Sequence, residues 1–109
     1  MSQDYKVEFP SYDDELPTLK GFVDASWHND ACPSLTKYID DNGTFIQIFC
    51  DYKDKAISDF ADLDPDNYRR FSIMLANSDA DWSVGMFSSN SWEDIKDYLS
   101  NFNIGGYLL

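Results

Sequence analysis

A chain of 109 residues is one domain's worth of sequence, and its 43% apolar and 17% aromatic content excludes an intrinsically disordered acidic tail. Twenty Asp and Glu against eight Lys and Arg give a formal net charge of −12. That balance leaves no basic stripe for nucleic-acid phosphates or for an anionic membrane surface. No segment approaches the ~20 consecutive apolar residues that span a bilayer.

Residues 1–17 read as an irregular acidic arm, with a short candidate strand at 6–9 and with Pro10 and Pro17 bracketing Asp13-Asp14-Glu15. Residues 19–23 suit a second short strand. Residues 24–34 carry turn formers and no clean period, so they read as a loop, yet they hold Trp27, His28 and Cys32. A loop of that content is either packed on the core or functional. A strand at 34–39 is followed by Asn42-Gly43, a strong hairpin signal because both residues tolerate positive φ. The nearly continuous apolar run at 44–52 predicts a central strand covered on both faces. Residues 53–60 are polar, a loop or a short helical turn, and 61–67 form a Pro-containing loop. A strand at 70–76 places Phe71, Ile73 and Leu75 on one face. After a turn at 77–80, the strand at 82–87 alternates Trp82, Val84 and Met86 against Ser83, Gly85 and Phe87.

The C-terminal helix is announced by Ser91 as N-cap, with Asp94 three residues on completing a capping-box-like pair. Glu93 and Asp94 lie in the first turn, where the helix dipole favours anions. Trp92, Ile95, Leu99 and Phe102 fall on one face, Gly105-Gly106 is expected to stop the helix, and Tyr107-Leu108-Leu109 to pack back on the body. Strands followed by one helix define an α+β fold: an antiparallel β-sheet with a C-terminal helix packed on one face, as a single domain over 1–109.

The residues that could carry chemistry give weak signals. His28, four residues from Cys32 and near Asp24 and Asp30, is the most enzyme-like group. A nucleophile and its base usually meet from distant parts of a chain, however. The competing reading has Trp27 and Cys32 plugging the core edge, with His28 and Asn29 hydrogen-bonding locally. Asp62-x-Asp64-x-Asp66 resembles the start of a calcium loop, but Asn67 and Ile73 stand where such a loop needs Gly and a bidentate Glu. Two Cys and one His are too few for a structural zinc site without a carboxylate. No phosphate-cradling or metalloprotease motif occurs. The expectation is a protein without enzymatic activity, metal or cofactor. With no apolar signal region at residues 1–6, it is expected in the cytoplasm with reduced thiols.

The acidity itself points to electrostatic steering toward a cationic protein, with aromatic residues as anchors. The carboxylates after the central strand (Asp51, Asp54, Asp59), those of the Pro loop (Asp62, Asp64, Asp66) and the nearby Tyr52 and Tyr68 form the expected partner-binding set. The doublet Arg69-Arg70 reads as answering neighbouring Asp residues. Other readings are a phage-type acidic inhibitor or nucleic-acid mimic directed at a host protein and, behind it, a small enzyme or metal-binding protein.

The block Ser26-Trp27-His28-Asn29-Asp30-x-Cys32-Pro33-Ser34, followed by a strand pair and Arg69-Arg70-Phe71-Ser72-Ile73, resembles small bacterial toxin immunity proteins, including those of contact-dependent growth inhibition systems. The specific similarity covers those nine residues; size, acidity and strand–helix order extend it loosely over the chain. The resemblance implies a cytoplasmic binder, itself inactive, whose partner is the C-terminal domain of a cognate toxin. Many such domains are nucleases with basic substrate surfaces, which carboxylates can cover.

Overall fold

Runs of apolar and β-branched residues separated by turn formers make the middle of this chain a sheet. In the computed structural model, which describes residues 5–28, 30, 32–54, 66 and 68–101 and the backbone of 103–104 and 107–108, the strands are β1 (Val23–Asp24), β2 (Ser34–Tyr38), β3 (Thr44–Cys50), β4 (Phe71–Asn77) and β5 (Trp82–Ser89). They pair antiparallel in chain order, β1-β2-β3-β4-β5. Register stacks Leu35, Ile48 and Ile73 across the centre, with Ile46 opposite Leu75 and Cys50 opposite Phe71. These residues are buried, and the helix α2 (Trp92–Ser100) lays Ile95 and Leu99 on them. The α+β architecture read from the sequence is the observed one. Ile48 is fully buried between its neighbours, and truncating it to Ala should cost about 2–5 kcal/mol.

The other face of the sheet buries Ser34 and Ala76, while Thr36, Phe45, Gln47, Phe49, Ser72 and Met74 are partly covered and Tyr38 is exposed. The central strand is therefore fully covered on one face only, not on both as its apolar run suggested. Phe45, Gln47 and Phe49 interleave with the buried series and are half-exposed.

Several local expectations are corrected. Residues 6–9 do not form a strand; Tyr5–Glu8 make one helical turn, α1, closed by the bond from Phe9 N–H to Tyr5 O at 2.8 Å. Asp24 accepts the Tyr5 N–H at 2.8 Å, which anchors this turn beside β1 and delivers Phe9 to the interior. Of the strand expected at 19–23 only Val23 pairs, with Asp24 extending it. Along β5 the simple alternation fails at a bulge opposite Ile73 and Met74, where Phe87 and Gly85 are the partners and Met86 is the extra residue. The bulge turns Phe87 toward α2, where it stacks on Tyr98 at 4.7 Å. Trp82 and Val84 are left exposed.

The helix begins as expected but without the expected cap. Ser91 makes no side-chain capping bond. Instead the Ser89 hydroxyl donates to Asp94 at 2.8 Å and accepts the Ser91 N–H at 3.1 Å. α2 ends at Ser100, ahead of Gly105-Gly106, and Asn101 closes it by donating its side-chain amide to Asp97 O at 2.9 Å. Beyond it, β6 (Asn103–Ile104) and β7 (Tyr107–Leu108) pair as a small hairpin. Phe102, Gly105, Gly106 and the packing of Tyr107–Leu109 lie outside the described residues, as do 55–65.

Candidate functional site

Of the expected partner-binding set, the described residues divide between buried and exposed positions. Asp51 is only 1% exposed. Its backbone N–H donates to Arg70 O at 2.9 Å and its carboxylate accepts the Tyr52 N–H at 2.7 Å. Tyr68 is buried too, with its hydroxyl donating to Tyr52 O at 3.3 Å. Tyr52 is half-buried, its ring 5.4 Å from that of Tyr12. These three therefore build the end of the sheet. Asp54 and Asp66 are exposed, whereas Asp59, Asp62 and Asp64 lie outside the described residues, and with them the calcium-like motif.

What holds this end together is the N-terminal arm. Asp13 accepts the backbone N–H groups of Lys53 and Asp54, both at 2.8 Å. Asp14 accepts from Arg70 at 3.0 Å, and the same guanidinium donates to Asp51 O at 3.0 Å and to the Tyr12 hydroxyl at 3.3 Å. Desolvation pushes the Asp13 carboxyl up, but the backbone N–H bonds from Lys53 and Asp54 together outweigh it and hold Asp13 below the usual carboxylate range. The Glu15 N–H and then Arg70 do the same for Asp14. Arg70 answers these groups, as its acidic surroundings suggested, while Arg69 turns to Tyr68 O at 2.7 Å. Asp13, Asp14 and Asp51 are thus occupied in closing this end of the fold.

The His28–Cys32 pairing does not assemble. His28 is exposed and bonds through Nδ1 to Glu8 at 3.0 Å, with its backbone N–H on the same carboxylate at 3.1 Å. Trp27 does not plug the core; it is 44% exposed and lies over the His28 ring at 4.2 Å. Cys32 is fully buried, and burial followed by the nearby Asp51 pushes its thiol far up. Burial also pushes Cys50 up to about 12. A thiol reacts as thiolate, so neither is poised as a nucleophile. Among the described residues no group of three or more His, Cys, Asp or Glu is placed to hold a metal.

The opposite end of the sheet differs in kind. The β2–β3 and β4–β5 turns meet there, joined by Ser78 N–H to Gly43 O at 3.1 Å and by the buried Asn77, whose amide donates to Asn42 O at 3.0 Å and Thr44 Oγ1 at 2.9 Å. Asn77 also accepts the Ala80 N–H at 2.7 Å. Asp40 accepts the Asn42 and Thr44 N–H groups at 2.8 and 3.0 Å, and bonding with Thr44 foremost draws its carboxyl down. Gly43 sits at φ +86° with the Asp79 carboxylate carbon 3.0 Å from where a Cβ would stand, so only Gly fits the close approach of the two turns. This braced platform presents Asp41, Asp79 and Asp81 to solvent, flanked by Tyr38 at 61% and Trp82 at 43% exposure. No Lys or Arg occurs in either turn, 39–43 or 78–81. The sequence places Tyr38 near Asp40 and Asp41 but gives no sign that Asp79, Asp81 and Trp82 join them as one surface. In a chain-order meander, alternate turns fall at one end, and that rule joins the two turns.

Comparison with protein-family models, curated proteins and solved structures found no match to this chain. Function is therefore argued from the surface alone.

Proposed function

We propose that the chain is an immunity-type inhibitor that captures a basic bacterial toxin domain through the acidic, aromatic end of its sheet. The supporting observation is the braced pair of turns, which gathers Asp41, Asp79 and Asp81 beside the exposed Tyr38 and Trp82 with no base in either turn. Aromatic anchors surrounded by carboxylates suit a partner rich in Arg and Lys. The net charge of −12 supplies long-range attraction that speeds encounter. Preformed turns lose little conformational freedom on binding. The buried thiols and the His28–Glu8 pair favour a binder over a thiol enzyme.

The test is growth rescue in bacteria. The C-terminal domain of the protein encoded beside this gene is expressed with and without this chain. Killing that this chain reverses supports the reading. Killing without rescue, or a complex whose association rate is indifferent to salt between 20 and 500 mM, overturns it, because steering is screened over a Debye length of about 8 Å at physiological salt.

A further inference from the structure

The chain's few bases are not evenly spread. Lys20, Lys37 and Lys96 converge on one groove of about 430 Å3, from the segment preceding β1, from β2 and from α2 respectively. Its floor is Leu19, Phe22 and Leu99, its wall is mostly apolar, and no carboxylate lines it. In a protein with 20 acids and eight bases, a groove lined by three lysines and no acid is a local concentration of positive charge.

The backbone is shaped for this. Gly21 takes φ +86°, and a Cβ there would stand 3.1 Å from Cε and Nζ of Lys37. The missing side chain lets the Lys37 ammonium lie across the turn at the mouth of the groove. Among the described residues neither Lys20 nor Lys37 has an ion-pair partner. Lys96 is bridged to Glu93 at 2.9 Å, with both side chains largely exposed, a link that is cheaply exchanged.

We infer that this groove binds a small amphiphilic carboxylate, an apolar chain ending in a carboxylate head. The floor takes the chain and the lysines take the head. The volume lies in the range of small-ligand sites, and three flexible ammonium groups act as point charges that can follow one anionic head without the fixed two-point geometry a guanidinium imposes. Lys37 adjoins Tyr38 of the proposed acidic surface but lies on the opposite face of the sheet, and the groove shares no residue with that surface, so the two proposals fail or survive separately.

The probe is sodium decanoate, kept below its micelle concentration and followed by amide and methyl NMR of the whole chain. Decyltrimethylammonium and decanol serve as matched controls. The expected result is saturable shifts at Leu19, Gly21, Phe22 and Leu99 with decanoate. Affinity should rise about threefold to fourfold per methylene from octanoate to dodecanoate, as burial of each CH2 implies. The cationic amphiphile should leave these resonances unmoved, although the net charge of −12 favours it everywhere else. The Lys20→Gln/Lys37→Gln variant should bind decanoate at least about tenfold more weakly, the loss expected for one charge-assisted contact. Equal or stronger binding of decyltrimethylammonium at this groove, shifts that do not saturate, or undiminished binding by a folded double variant overturns the inference. The comparison of head groups in the unmodified protein decides the matter if that variant does not fold.

Discussion

Replacing Arg70 by Leu should loosen the end of the sheet at which β3 leaves and β4 enters. The guanidinium makes two bonds at 3.0 Å, to Asp51 O and Asp14, and a longer one of 3.3 Å to the Tyr12 hydroxyl. Its side chain is 17% exposed, whereas that of Asp14 is 38% exposed. The Asp14 pair is therefore screened and worth up to ~1 kcal/mol. The bond to the Asp51 carbonyl is charge-assisted, and such bonds contribute about 1.5–3 kcal/mol. That carbonyl keeps the Tyr12 hydroxyl at 3.3 Å, which recovers part of the loss. Leu retains some of the packing that Arg70 makes on the Phe71 ring, 4.9 Å away. The net cost is about 2 kcal/mol, and at about 4–8 °C per kcal/mol for a domain of this size Tm falls by roughly 8–16 °C. Urea denaturation of Arg70→Leu, Asp14→Asn and the double variant measures it, with a coupling between the two residues of at most ~1 kcal/mol. An Arg70→Leu variant as stable as the parent would refute the reasoning. So would a coupling equal to the whole loss, since the buried carbonyl would then contribute nothing.

The remaining predictions concern acid, thiols and the turns. Asp13, Asp14 and Asp40 have folded pKa values below their unfolded ones; their stabilisation is complete above about pH 4 and lost as pH falls through the lower folded values. Denaturant titrations between pH 5 and 2 should show that loss, and Asp13→Asn should diminish it; a flat profile contradicts the assignment. Both thiols should resist a disulfide reagent at pH 8 in the native protein and react at the rate of unfolding, and prompt labelling would show that Cys32 or Cys50 is accessible after all. Gly43→Ala meets positive φ and the Asp79 carboxylate at once and should cost about 1–2 kcal/mol in urea denaturation; a neutral effect would mean that the turns are not braced as described.

How much was legible depended on whether a feature was local. β4 and α2 follow from short-range periodicity, because the same face repeats every two or about four residues, and β3 from a nearly continuous apolar run. The bulge in β5 was not readable, since register depends on what Ile73 and Met74 meet across the strand. The fate of the acids was least readable. Asp51 looks like any polar residue after a strand, and only the long-range bonds made by Arg70 and the arm enclose it. Asp13 finds its partners 40 and 41 residues away. The acidic turn end could have been found by pairing the Asn42-Gly43 hairpin signal with the 77–80 turn on the meander rule. The lysine groove could not, because three separate elements contribute to it.

The measurement that bears most directly on the binding surface is rescue by charge-altered variants. Asp41→Lys, Asp79→Lys and Asp81→Asn are combined in one folded protein, Asn being chosen because Asp81 has φ 57°. Asp54→Lys with Asp66→Lys forms the matched control at the other end. In cells expressing the neighbouring toxin domain, the first variant should fail to restore growth while the second restores it. Full rescue by the first variant, with rescue lost in the second, would move the binding surface to the opposite end of the sheet and contradict the proposal.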